Sequence, residues 1–211
     1  MLKKVFTPLV ACSLFAVFLN VEGEGEKDIV KKQVTEKRYI GAQEFLEESF
    51  KLAELIFKSN FRPTFLIALW RGGAPVGMII DEYFSYKNVS IGQHLAVRVS
   101  AYNHDKLKDS VKVFNLDYVI KNIKKNDSLL IVDDIVDSGA SMEALLKELK
   151  VRCGKDMPHD IKIASVYYKP KTSSIVPDYY LYAVNEWLVF PHEIEGLTID
   201  EIKTCKVLEL E

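Results

Sequence analysis

LLIVDDIVDSGAS, residues 129–141, is the most informative segment of this 211-residue chain. With Ser128 before it, the run to Asp134 reads as a strand buried on both faces. It passes directly into two adjacent carboxylates, Asp133 and Asp134. The small-residue turn Asp137–Ser141 then opens an amphipathic helix over Met142–Lys150. A turn of this kind presents backbone N–H groups at a helix N-terminus and so forms an anion site. Gly139 lets the backbone fold tightly, and Ser138 and Ser141 add hydroxyl donors. No Gly-Lys-Ser/Thr follows, so this is not a P-loop, and the Gly-x-Gly-x-x-Gly dinucleotide pattern is absent. Two acids beside an anion site call for a ligand that also carries hydroxyls or magnesium. A sugar phosphate answers both demands, with its phosphate on the turn and its diol on Asp133 and Asp134. The alternative, an acidic strand end with Ser141 near a helix cap, leaves two consecutive acids after four apolar residues unexplained.

Outward from this segment the chain alternates between the two periods. Residues 43–58, QEFLEESFKLAELIFK, carry Phe45, Leu46, Phe50, Leu52, Ala53, Ile56 and Phe57 at helical spacing. Thr64–Trp70 is a second apolar run of buried-strand type, ending in Arg71-Gly72-Gly73 and followed by a helical stretch over Ala74–Phe84. His94–Ser100 alternates as a strand, Ala101–Ser110 is polar and reads as a mobile loop, and Leu116–Lys124 reads as a helix. Ile161–Tyr168 is a further strand, and Asp178–Phe190 supplies short aromatic-rich ones. Strands alternating with helices predict an α/β fold with an open, mostly parallel sheet. Ligands in such sheets bind at the carboxyl ends of the strands, where three of these strands end in polar or glycine-rich turns.

Composition narrows the classes. Lys plus Arg number 28 against 30 Asp plus Glu, a net charge of -2. That balance argues against a basic nucleic-acid binder and against an acidic disordered chain. The cysteines Cys12, Cys153 and Cys205 are odd in number and widely spaced, which argues against a disulfide framework or zinc site and for a reducing compartment. Residues 1–21 are different: Lys3 and Lys4 precede an apolar run, Val5–Leu19, interrupted by Pro8. An export signal, a membrane contact and a plain N-terminal extension all fit that outline. Residues 22–38 are charged and read as a linker, so residues 1–38 are taken as an extension and 39–211 as the folded domain.

The 129–141 segment resembles the phosphoribosyl pyrophosphate (PRPP) motif of the type I phosphoribosyltransferases. Flanking segments, over about residues 40–195, resemble the purine branch, the xanthine-guanine and hypoxanthine enzymes. The resemblance implies that fold with a small C-terminal hood formed mainly by residues 169–195. It implies PRPP binding by Asp133, Asp134, Asp137, Ser138, Gly139, Ala140 and Ser141. It further implies a pyrophosphate turn at Arg71, Gly72 and Gly73, with the Trp70–Arg71 peptide cis. Tyr102 would add a contact from the start of a closing loop, Ser100–Asp105; His104 in that loop reads as a surface residue.

The hood resemblance rests on Tyr168-Lys169-Pro170, Pro177–Tyr180 and Glu186–Glu193. It implies that Lys169 meets the 6-oxo group of a purine, that Trp187 stacks on the ring and that the Leu188 main chain hydrogen-bonds the base. Magnesium would be held by Asp133, Asp134 and Glu193, and Asp137 would be the catalytic group that handles the N7 proton. Where enteric xanthine-guanine enzymes carry an acid two residues after the stacking Trp, this chain has Val189. That departure leans toward hypoxanthine, with guanine or xanthine left open. The implied reaction is purine salvage from PRPP in the cytoplasm, by a homo-oligomer (dimer or tetramer) without nucleic acid. A PRPP-binding regulator on the same fold is the competing reading.

Overall fold

Residues 37–102 and 110–206 are described by the computed structural model. The elements run β1 (Lys37–Tyr39), α1 (Ala42–Lys58), β2 (Phe65–Trp70), α2 (Gly73–Tyr86), β3 (Gln93–Tyr102), β4 (Ser110–Phe114) and α3 (Asp117–Asn122). They continue with β5 (Ser128–Val136), α4 (Ala140–Cys153), β6 (Asp160–Tyr168), β7 (Tyr179–Ala183), β8 (Trp187–Val189) and α5 (Ile199–Cys205). Six strands form one sheet in the order β4-β3-β2-β5-β6-β7. It is parallel except at β4, which runs antiparallel to β3. This is the open, mostly parallel α/β sheet expected from the alternation of periods.

The central strands are apolar on both faces because helices cover both. Leu66 and Ala68 of β2 join Leu130 and Val132 of β5 in a core with Phe45, Leu52 and Ile56 of α1 and Val76 and Ile80 of α2. Their neighbours Phe65, Ile67, Leu129 and Ile131 face the other way, onto Met142, Leu145 and Leu149 of α4 and Val119 of α3. Along β5 the alternation changes phase at the acid pair, Ile135 siding with the first cluster and Val136 with the second. Removing the Leu52 side chain from such a core costs about 2–5 kcal/mol.

Several boundaries differ from the sequence reading. β5 runs on to Val136, so the two acids lie within the strand rather than at its end. Of the polar stretch 101–110 read as a mobile loop, Ala101 and Tyr102 extend β3, and Ser110 opens β4 by pairing with Tyr102. Lys37 and Arg38, read as linker, pair in parallel with Trp187 and Leu188 to form the two-stranded sheet of the hood. The hood is closed by α5, whose Thr198 accepts from the Glu201 amide at 3.3 Å while Glu201 accepts from the Thr198 amide at 2.7 Å, a reciprocal cap. Residues 1–21, His104 and the Tyr102 side chain lie outside the described residues. Among the described residues no helix is long and apolar enough to cross a membrane.

Candidate active site

β2, β5 and β6 are neighbours and parallel, so their carboxyl ends open into one crevice. A cavity of about 550 Å³ lies there, lined by Trp70, Arg71, Gly72, Asp133, Asp134 and Ser141, and by Arg98, Ser100, His192 and Glu193. The sequence motifs at Arg71–Gly73 and Asp133–Ser141 are thus brought together by strand adjacency alone.

The turn after β2 is pressed against β5. The Trp70–Arg71 peptide is cis, as the resemblance implies. A Cβ on Gly72 would stand 2.1 Å from Asp134 Oδ2, and one on Gly73 would stand 2.3 Å from the Val132 carbonyl oxygen. Neither position has room for a side chain, and the backbone amides of the turn are held close to the acid pair. Arg71 reaches out of the turn, its Nη2 3.7 Å from Glu195 Oε2 on the exposed rim.

The two acids have different surroundings. Asp134 is only 6% exposed; its Oδ1 accepts from the Ile135 amide at 2.8 Å, and its Oδ2 lies 3.3 Å from His192 Nε2. The His192 ring stacks on Phe190 at 5.6 Å, so the hood reaches down to this carboxylate. Asp133 is half-buried. Burial, and then the charge and proximity of Asp134, push its carboxyl well above the usual carboxylate range, although the Asp134 and Gly73 amides pull the other way. Two carboxylates that resist being charged together suit a divalent cation. Glu193 Oε2 accepts from the Phe190 amide at 3.0 Å, which holds the turn that carries it to the cavity.

The Asp137–Ser141 turn has the conformation its sequence calls for. Gly139 has φ +83°, the left-handed region, and begins α4. Ser138 Oγ accepts from the Ala140 amide at 3.3 Å. Over this turn lies a strap, Lys169–Ile175, in which the sequence reading gave a role to Lys169 but none to Thr172, Ser173 or Ser174. The Ser174 amide donates to the Ser138 carbonyl at 3.0 Å, while its hydroxyl donates to Glu143 Oε1 at 2.6 Å and stands 3.1 Å from the same carbonyl. At the start of the strap Lys169 Nζ donates to Asp137 Oδ2 at 2.7 Å, and Thr172 Oγ1 donates to Asp137 Oδ1 at 2.8 Å.

Trp187 and Leu188 stand on β8 and, like Asp137, Ser138, Gly139, Ala140 and Lys169, are not among the residues lining the cavity. Trp187 is 47% exposed, with Lys37 Nζ 5.4 Å from its ring centroid; Leu188 and Val189 are buried. Arg98, Ser100 and His192 were missed as site residues. The one available signal was a charged Arg98 inside the alternating strand His94–Ser100, whose register places it beside Trp70.

Comparisons with known proteins agree with this geometry. Residues 38–200 match the phosphoribosyl transferase domain family. The chain is 28% identical over 142 residues to a xanthine-guanine phosphoribosyltransferase of Idiomarina loihiensis, covering 64% of this chain and 78% of that protein. Among solved structures, a purine phosphoribosyltransferase from Pyrococcus horikoshii is 25% identical with a TM-score of 0.59, covering 77% of this chain and 97% of that one. The Helicobacter pylori xanthine-guanine-hypoxanthine phosphoribosyltransferase shares the fold at 23% identity, TM-score 0.62, covering 80% and 99%. A family match over most of the chain, on a sheet whose carboxyl edge gathers these turns, makes this protein a member of the phosphoribosyl transferase family, with its relatives in the purine branch.

Proposed function

We propose that the protein is a purine salvage enzyme that transfers the phosphoribosyl group of PRPP to a 6-oxopurine, releasing pyrophosphate and a nucleoside 5′-monophosphate. The observation that carries this reading is the Lys169–Asp137 pair, 2.7 Å apart beside the anion turn. An ammonium donor and a carboxylate acceptor stand together at the carboxyl end of β5, and in this reading the base meets the ribose beside them. The 5′-phosphate takes the Ser138–Ser141 amides and hydroxyls, the ribose diol takes Asp133 and Asp134, and pyrophosphate takes Arg71, Gly72, Gly73 and Tyr102. Lys169 donates to the 6-oxo group, Trp187 stacks on the ring and the Leu188 main chain meets its edge. The apolar, buried Val189 side chain offers neither an acceptor to the 2-amino group of guanine nor a donor to the 2-oxo group of xanthine, which favours hypoxanthine.

As a ring nitrogen bonds to C1 of the ribose, the C1–O bond to pyrophosphate breaks and its electron pair leaves with the pyrophosphate. The ribose carries oxocarbenium character between the two events, as in glycoside chemistry. Asp137 takes the proton at N7 of the base, and Arg71 with the turn amides stabilises the departing charge. Among the described residues no three acidic, histidine or cysteine side chains form a metal site by themselves, so Mg²⁺ would be held here by one or two of Asp133, Asp134 and Glu193 together with substrate phosphates and water, its usual mode. Bound there, it would neutralise charge on the pyrophosphate. PRPP is an intracellular metabolite, so the reading places the working enzyme in the cytoplasm, as a homo-oligomer in keeping with the resemblance.

The test is pyrophosphate release with PRPP, magnesium and, in turn, hypoxanthine, guanine, xanthine, adenine and orotate. Turnover with oxopurines that Asp137→Asn lowers by about 100-fold or more supports the proposal. PRPP binding with no turnover on any base would overturn it in favour of a regulator.

A further inference from the structure

Asp137 has two partners in this structure, and the proposed reaction takes one of them away. Its Oδ2 accepts from Lys169 Nζ at 2.7 Å, its Oδ1 from Thr172 Oγ1 at 2.8 Å, and the same hydroxyl stands 3.1 Å from the Asp137 carbonyl oxygen. For Lys169 to donate to a purine oxo group it must release Oδ2. The carboxylate is then a half-exposed group at the end of β5, with nothing from Lys169 to fix its rotation. Thr172 is placed to replace that restraint. Its amide and that of Ser173 both donate to the Lys169 carbonyl, at 3.3 and 3.1 Å, so the turn that carries the lysine also fixes the hydroxyl. Lys169 itself is tied to β5 through its amide, which donates to the Val136 carbonyl at 3.0 Å. The far end of the strap is pinned by Ser174 to Ser138. The hydroxyl therefore stays where it is while the flexible lysine side chain moves.

We infer that Thr172 is a positioning residue for the transfer reaction: it holds Oδ1 of Asp137 so that Oδ2, vacated by Lys169, faces the ring proton of the base. This inference rests on the proposed function. A proton acceptor misplaced by about 1 Å loses on the order of 100-fold in rate, so a single hydroxyl at this point has a measurable effect on turnover. It has little on folding, because Thr172 is exposed and Thr172→Val keeps the shape of the side chain.

The experiment compares wild type, Thr172→Val, Thr172→Ser, Asp137→Asn and the Thr172→Val/Asp137→Asn double variant, measuring kcat and KM for hypoxanthine and for PRPP, with thermal midpoints alongside. The expected result is a kcat lowered about tenfold or more in Thr172→Val, with the KM for PRPP and the midpoint unchanged. Thr172→Ser keeps the wild-type rate, and Thr172→Val has no further effect once Asp137 is Asn. A Thr172→Val enzyme with wild-type kcat overturns the inference. So does an equal fall in the Asp137→Asn background, or a fall confined to the KM for PRPP. Wild-type protein without turnover on any purine overturns the functional reading itself, a result that no variant is needed to see.

Discussion

The turn after β2 and the hood face each other across the cavity, and they are held in place by different means. In the turn, both glycines touch their neighbours so closely that an added methyl would lie 2.1 to 2.3 Å from a carboxylate or a carbonyl. The hood rests on a parallel ladder of three residue pairs between β1 and β8. Glu201 secures that ladder, accepting from Lys37 Nζ at 2.8 Å and from Tyr39 Oη at 2.6 Å. The turn positions backbone amides, which have no rotamers and must be placed by packing. The hood positions side chains through partly exposed polar contacts, which are individually weak. Under the proposed function, pyrophosphate binding accordingly falls to the rigid side and base recognition to the side that can adjust.

The largest effect should come from breaking the rigid side. Gly73→Ala forces a Cβ onto the Val132 carbonyl; overpacking of this kind costs about 1–3 kcal/mol. Displacing the amides and Arg71 together should lower turnover by more than about 100-fold. Thermal unfolding and the pyrophosphate assay on one sample check both halves; an active, unshifted Gly73→Ala protein would mean the turn is soft after all.

Asp133→Asn sharpens the same side, with opposite effects on stability and activity. Because the folded protein raises the Asp133 pKa, folded chains bind its proton more readily than unfolded ones. Stability therefore falls as pH rises from about 3.9 through that raised value, and the full cost is present above it. Removing the charge should abolish turnover yet raise the thermal midpoint near pH 8 in chelator. The gain should shrink as the pH approaches about 4. A lowered midpoint near pH 8 would show that Asp133 is a structural brace.

Glu201→Gln tests the hood, and its effect should be smaller. Lys37, then Tyr39, hold the Glu201 carboxyl down to about 2, so its contribution is fully present above about pH 4.3 and is lost as the pH falls toward 2. The variant should melt slightly below wild type near neutral pH, the gap closing in acid. The KM for the base should rise a few-fold while the KM for PRPP stays put. A change confined to PRPP would break the division between the two sides.

Legibility in the sequence followed the range of the interactions. α1, β2, β5 and α4 were readable because each carries its own period, apolar on a stripe or on both faces, over a span long enough to show it. The Asp137–Ser141 turn was readable because a left-handed glycine and a helix start are local events. β1 was not: three residues, Lys37–Tyr39, become a strand only through partners 150 residues away. β4 is likewise an edge strand made by β3. Thr172 and Ser174 looked like ordinary loop hydroxyls, and nothing in KTSS announces that Asp137 and Ser138 lie beneath them. His192 was in view within the hood motif, but its approach to Asp134 depends on how far the hood reaches.

By itself the sequence determined the α/β sheet, the order of its longer helices and strands, and the glycine and acid-rich turns that follow β2 and close β5. Buried strands, helix starts and glycine turns follow from forces acting within a few residues. Tertiary structure alone decided which groups meet: Gly72 with Asp134, His192 with Asp134, and Lys169 and Thr172 with Asp137. Those contacts join residues 32 to 62 positions apart. They depend on parallel strands lying side by side, and that adjacency is set by the packing of the whole sheet between its helices.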